Sequence, residues 1–266
     1  MQHDPKLLSV IIPAYKQSKS IEQDIRQIDA SLVHIKIPYE LIVVVDGKED
    51  QTYARARKLV RKHIVVVGYE HNHGKGYAVR YGMARAKGDV IAFLDAGSDI
   101  RAEGVSMFLE HYRWYNADII IGSKRHPVSK VHYPFSRTLL SWGYQMVVRV
   151  MFGLNIRDSQ VGMKLFRRKV LEDVLPRLLV KEFAFDIEIL AVAHHLGYRR
   201  IFEAPVELDF SGASSITSAN LWNIIYHMLW DTAAVFYRLK ILRYYDNLNS
   251  QQWRYDPELN FRINIG

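Results

Sequence analysis

Five short runs of apolar, largely β-branched residues recur through the first half of the chain, and helix-length segments separate them. The runs are Leu7 to Pro13, Glu40 to Val45, Ile64 to Val67, Val90 to Leu94 and Ile119 to Ile121. A run that is apolar on both faces needs cover on both faces, which is the condition of strands in a parallel sheet. The intervals supply that cover. Ile21, Ile25, Ile28 and Leu32 fall on one helical face, with Ser20 and Gln23 spaced as a capping box. Thr52 to Lys62, Gly76 to Lys87 and Glu103 to Tyr115 are further helical intervals, rich in Ala, Arg, Lys and Glu. Strand and helix therefore alternate as in an α/β domain, whose ligands bind beyond the carboxyl ends of the strands.

Past Gly122 the alternation breaks. Ser123 to Val131 is a basic loop, Arg137 to Phe152 a long helix, Ser159 to Phe166 a short strand or loop, Ala184 to Leu196 a helix and Arg199 to Val206 a strand. Asn220 to Leu239 forms a last amphipathic helix. The expected organisation is a catalytic domain over 1–212, with a donor half at about 7–122 and an acceptor half at 123–212. A C-terminal helix and tail follow over 213–266. With 266 residues the chain can bury one large core. The absence of cysteine excludes disulfides, thiolate metal sites and cysteine nucleophiles. No signal core or run of eighteen uncharged apolar residues appears, so the chain reads as neither secreted nor membrane-spanning. A formal net charge of +8 favours polyanionic partners such as nucleotides and phospholipid headgroups. No stacked-aromatic RNA motif is present, so nucleic acid is not the expected partner. The oligomeric state is left open.

If the strands are parallel, Pro13-Ala14-Tyr15, Asp46-Gly47, Gly74-Lys75-Gly76 and Asp95 to Asp99 share one edge of the sheet. Asp46 reads equally as a turn residue or as a carboxylate for a base or ribose hydroxyl. Asn72-His-Gly-Lys-Gly76 opens a helix and favours an anion there. It is not an NTPase phosphate loop, because Tyr69 and Gly76 stand where that motif needs a glycine and a Ser or Thr. Ile12 to Gln17 also lacks the glycines of a dinucleotide fingerprint. Four extended residues would separate Asp95 from Asp99 by about 13 Å. Ala96-Gly97-Ser98 is turn-forming, so both carboxylates can face one hard cation; a strand-end turn with a helix N-cap is the competing account.

Together these segments resemble the family 2 glycosyltransferases, and among them the polyprenyl- or dolichyl-phosphate glucosyl- and mannosyltransferases, over roughly Leu8 to Leu239. The resemblance is carried by Ile11-Ile-Pro-Ala-Tyr15, Glu40 to Gly47, Asn72 to Ala78, Gly122-Ser-Lys124, Arg137-x-x-x-Ser141, Arg157 to Lys164 and Phe185-Asp-Ile-Glu188. It implies a single nucleotide-sugar-binding domain of the GT-A type and a donor site at Pro13, Ala14, Tyr15, Gln17, Asp46, Lys75, Asp95 and Ala96. It implies Mg2+ or Mn2+ on Asp95 and Asp99, with Asp158 also catalytic, and an acceptor site at Lys124, Arg137, Ser141 and Lys164. The implied reaction is inverting transfer of a hexose, from UDP-glucose first and GDP-mannose second, to a polyprenyl or dolichyl phosphate at the cytosolic face of a membrane. This chain departs from the family pattern at Val45, Gln17 and Gly97, where acids are usual, and Gly212 to Ser215 carries no lysine. Asp99 is the residue expected to replace the charge missing at Gly97.

Two other readings compete. A sugar-nucleotide nucleotidyltransferase would share the sheet but needs a glycine-rich, arginine-bearing first loop. A non-catalytic membrane-surface module would treat Gly97 as the mark of a lost metal site. The apolar stripes on the helices at Leu139 to Met151 and Trp222 to Leu239 fit either core packing or interfacial docking.

Overall fold

The computed structural model describes residues 4–95, 104–129, 135–180, 184–207, 218–246, 253–256 and 261–264, with backbone only at 135–141, 218–225 and the last two segments. A seven-stranded sheet is built from β1 (Leu8–Ala14), β2 (Tyr39–Asp46), β3 (Ile64–Tyr69), β4 (Val90–Leu94), β5 (Ile119–Ser123), β6 (Met163–Arg167) and β7 (Ile201–Pro205). Their order is β3-β2-β1-β4-β6-β5-β7. All run parallel except β6, which lies antiparallel between β4 and β5. Strand order reverses between β1 and β4, the place where an open α/β sheet leaves a crevice.

The period of two along each strand divides the core into two layers. Val10, Ile12, Leu41 and Val43 face α1 (Ile21–Leu32), α2 (Thr52–Arg57) and α4 (Gly104–Tyr115). Ile11, Ile42, Val44, Ile91 and Phe93 face the opposite layer. That layer holds α3 (Lys75–Arg85), α5 (Phe135–Phe152), α6 (Arg168–Val174), α7 (Phe185–His195) and α8 (Ser218–Phe236). Gly82 of α3 lies against the sheet, where an added Cβ would stand 2.4 Å from Ile11 Cγ2.

Several local expectations change. Ser20 makes no side-chain cap, because its backbone is already helical and the Gln17 carbonyl takes both Ser20 N–H and Ile21 N–H. The helix expected over Thr52 to Lys62 ends at Arg57, and a bridge between Arg61 and Ile64 turns the chain into β3. The short α6 and a two-stranded hairpin of β8 (Trp253–Asp256) and β9 (Phe261–Asn264) were not foreseen. The C-terminal segment also shares the main core: Val235, Leu239 and Tyr245 are buried with β1, β4 and β6 residues.

Candidate active site

Asp46 ends β2, and its carboxylate is directed into the loop before α3. Oδ1 accepts from Tyr69 O–H and His73 N–H, and Oδ2 from Asn72 Nδ2 and Gly74 N–H, at 2.8 to 3.0 Å. Four donors fill what two carboxylate oxygens can accept. Asp46 therefore shapes the loop that delivers Lys75. The loop reaches its geometry through Gly74, whose φ of 93° is readily adopted by glycine.

That loop delivers Lys75, the first residue of α3, to the end of β4. Its Nζ lies 2.9 Å from Oδ2 of Asp95 and 3.4 Å from Oδ2 of Asp186 on α7. Lys164 arrives by strand register, since it pairs across β6 with Phe93 and so emerges on the same face. Its Nζ donates to Asp186 Oδ1 at 2.5 Å and to the Val161 carbonyl at 2.7 Å. Both ammonium groups flank the Phe93 ring, at 5.5 and 5.1 Å from its centroid. Burial opposes the charge on Lys75, yet Asp186 and Asp95 outweigh it and hold the ammonium above the usual lysine range. Burial likewise pushes the Asp95 carboxyl up, with Lys75 offsetting part of the effect. At Asp186 burial is overcome by Lys164 and Lys75, which hold the carboxyl below its ordinary range.

Asp95 leans on Gly162. A Cβ there would stand 2.0 Å from Asp95 Oδ2 and 2.5 Å from its Cγ, while Asp95 N–H donates to the Gly162 carbonyl at 3.0 Å. The glycine before β6 is thus a cradle for the carboxylate. Asp95 Oδ1 is buried and accepts no hydrogen bond from the described residues. A bare carboxylate oxygen is a fitting first ligand for a hard divalent cation. Among the described residues no three His, Asp or Glu side chains converge on such an ion. Ala96 and the second expected ligand, Asp99, lie outside those residues.

On the acceptor side, Lys124 follows β5, and its N–H donates to Asp158 Oδ2 at 3.4 Å. Gln160 N–H binds Asp158 Oδ1 at 3.1 Å. Burial raises the Asp158 carboxyl, with Lys124 partly offsetting, and Glu203 fixes the turn by accepting from Arg157 and Asp158 N–H. Lys164, expected with Lys124 on the acceptor phosphate, is 0% exposed and bonded to Asp186 and the Val161 carbonyl. Arg137 and Ser141 lie on the part of α5 whose side chains are not described. At the donor side Tyr15 is exposed and its O–H donates to Glu49, Pro13 and Ala14 close β1, and Gln17 N–H donates to Thr52 Oγ1. Asp186 stands in the Phe185-Asp-Ile-Glu188 segment that the sequence singled out, whereas Gly162 and Glu49 join the site without having been expected in it. Gly162 was signalled only by a lone glycine inside the Asp158 to Lys164 segment.

A mostly parallel sheet with acidic and basic side chains gathered beyond its switch point defines an α/β domain of the GT-A type. The chain belongs to the Glycosyl transferase family 2, whose model matches residues 9–175. It is 32% identical over 222 residues to a dolichyl-phosphate beta-glucosyltransferase of Drosophila melanogaster, covering 74% of this chain and 65% of that protein. Against the Homo sapiens dolichyl-phosphate beta-glucosyltransferase the identity is 31% over 207 residues, with 71% and 63% covered. The chain thus spans just under two thirds of the length of these curated relatives. Among solved structures, glucosyl-3-phosphoglycerate synthase from Mycobacterium tuberculosis, in complex with Mn2+, UDP and glucosyl-3-phosphoglycerate, superposes with a TM-score of 0.66. It is 20% identical and covers 86% of this chain and 80% of that one, a likeness of fold.

Proposed function

We propose that this chain is a metal-dependent, inverting glycosyltransferase that moves glucose from UDP-glucose to a polyprenyl or dolichyl phosphate. The observation that carries the reading is the Asp95 carboxylate at the switch point, seated on Gly162 with Oδ1 buried and without a hydrogen bond from the described residues, and Lys75 beside it. The curated relatives are named for transfer to dolichyl phosphate, and the structural neighbour was solved with Mn2+ and UDP, in keeping with this donor and cofactor class.

In the reaction an oxygen of the acceptor phosphate forms a bond to the anomeric carbon, and the bond from that carbon to the diphosphate breaks. UDP leaves with the electron pair. A phosphate monoester with a second pKa of about 6 is already an anion at neutral pH, so no strong base is required of the protein. Asp95 and Asp99 are the residues that would hold Mg2+ or Mn2+. Such a cation, when bound, neutralises charge developing on the departing diphosphate. Lys75 adds a positive charge beside Asp95, and Lys124, Arg137 and Ser141 are assigned to the acceptor phosphate. Asp158 accepts from the Lys124 backbone N–H and is assigned to orienting that lysine.

The lipid acceptor calls for contact with a bilayer surface. No helix among the described residues is long and apolar enough to cross a membrane. Trp142, Met146 and Val150 recur every fourth residue on the exposed side of α5, and Tyr226 and Trp230 do so on α8. We assign these faces, within the proposed membrane-associating segment, to peripheral docking.

Incubation of the protein with UDP-[14C]glucose, Mn2+ and dolichyl phosphate in detergent tests the function. Label is expected in the lipid phase, with one UDP released per glucose transferred. UDP-glucose hydrolysis alone, or transfer only from GDP-mannose, would overturn the assignment of acceptor or donor respectively.

A further inference from the structure

Lys75 holds Oδ2 of the Asp95 carboxylate whose Oδ1 a cation would take, so the two positive charges would meet across one carboxylate. Its ammonium spans two carboxylates unequally, 2.9 Å from Asp95 Oδ2 and 3.4 Å from Asp186 Oδ2. The three partners differ in freedom. Asp186 is almost wholly buried, and its other oxygen is fastened to Lys164, which is itself anchored on the Val161 carbonyl. Asp95 is fixed by the Gly162 cradle. Lys75 stands on a four-carbon stem at the first turn of α3 and keeps about a quarter of its side chain, 24%, exposed. It is the member able to move, and the Asp186 oxygen is already within reach.

We propose that Lys75 is an exchangeable counter-ion: it neutralises Asp95 before the divalent cation binds and shifts onto Asp186 when that cation takes Asp95. Asp186 is then a positioning residue, a second seat prepared for the displaced ammonium. The physical reason is charge balance. An ammonium and a dication cannot share one carboxylate without strong repulsion at a few ångströms, whereas a carboxylate about as near removes that obstacle. Moving from one seat to the other needs no rearrangement of either acid, and leaves Lys75 beside the cation, facing the diphosphate.

The inference rests on the cation reading given above, and direct Mn2+ binding to the full chain separates the two. Electron paramagnetic resonance would follow free Mn2+ in titrations with and without UDP, for wild type, Lys75→Gln, Asp186→Asn and the double variant. Lys75→Gln is expected to bind Mn2+ about tenfold more tightly in the absence of UDP, since the competitor is gone. Asp186→Asn is expected to weaken binding by a similar factor, because Lys75 then has only Asp95. In the double variant the Asp186 effect should largely vanish, as it acts through Lys75. Additive effects, or unchanged or weaker binding by Lys75→Gln, would overturn the proposal. That single variant keeps the Asp186–Lys164 pair intact, so the test stands even if Asp186→Asn fails to fold. No Mn2+ binding by wild type in either titration would instead remove the cation reading, and this inference with it.

Discussion

Asp95 draws its character from one neighbour without a side chain. Gly162 has nothing unusual to do with its own dihedral angles; what it supplies is space, since any Cβ would press into the Asp95 carboxylate at 2.0 Å. Gly162→Ala is therefore expected to turn that carboxylate away from its seat while leaving its charge intact. Displacement of a reacting or ligating group by about 1 Å costs roughly a hundredfold in rate. Glucosyl transfer should fall by about that factor in kcat, with the melting temperature little changed. Asp95→Asn, which keeps the shape and removes the charge, should lose about as much or more. Transfer by Gly162→Ala at wild-type kcat would show that the close approach has no catalytic meaning. The same comparison explains why the residues of this site were unevenly legible. Asp95 ends an apolar strand and could be found from pattern alone. The reach of Asp46 into the Asn72 to Gly74 loop, and of Lys164 to Asp186, depends on side chains meeting across sequence separations of 26 and 22 residues or more. Nothing in local composition distinguishes a carboxylate that binds a ligand from one that binds a loop.

Among the elements, those with a strong period were legible and those defined by tertiary contact were not. β4 and α1 coincide with the apolar runs that announced them, because burial on both faces, or on one helical face, leaves its imprint directly in residue spacing. α6 is seven residues and the β8–β9 strands four each, too short for either period to emerge. The long helices posed a different difficulty. α5 and α8 each carry an apolar stripe, so core packing and docking were both open. In the structure each helix buries one side and exposes the other. Tyr144, Val148 and Phe152 turn inward, Tyr144 O–H meeting Thr232 Oγ1 at 3.0 Å, while Trp142 is 58% and Val150 79% exposed. On α8 the buried Val235 opposes Trp230, 65% exposed and stacked with Tyr226. Exposed apolar stripes of this kind on adjoining helices, with Arg149 and Arg238 nearby in sequence, suit the boundary of an anionic bilayer. Trp142→Ser with Trp230→Ser is expected to reduce co-sedimentation with phosphatidylserine-containing vesicles at least severalfold without altering the circular dichroism spectrum. It should spare UDP binding. Equal sedimentation of variant and wild type would reject the docking face.

At the scale of the whole molecule, the sheet, its helical cover and the edge that carries the site follow from alternation, whereas closure of the chain on itself does not. That closure runs through Glu188. Its carboxylate is fully buried on α7 and accepts from Leu179 and Val180 N–H and from Tyr245 O–H at 2.7 Å, so one side chain ties three distant segments together. Burial raises this carboxyl above its ordinary range, the three donors offsetting only part of the cost of the charge. A group whose folded pKa is raised contributes stability that is complete below its unfolded pKa and is lost as pH rises through the folded pKa. Wild type should therefore lose stability relative to Glu188→Gln as pH rises above the ordinary glutamate range, even though the variant pays a fixed penalty for turning an amide toward backbone donors. The quantity to measure is the difference in melting temperature between the two proteins across that rise in pH. It should shrink toward the alkaline end, because the variant lacks this one carboxyl and is otherwise the same. A difference independent of pH would mean that Glu188 is already ionised throughout, with its three donors sustaining the buried charge. A pH-independent Tyr245→Phe penalty measured alongside would then assign the closure to hydrogen bonding alone.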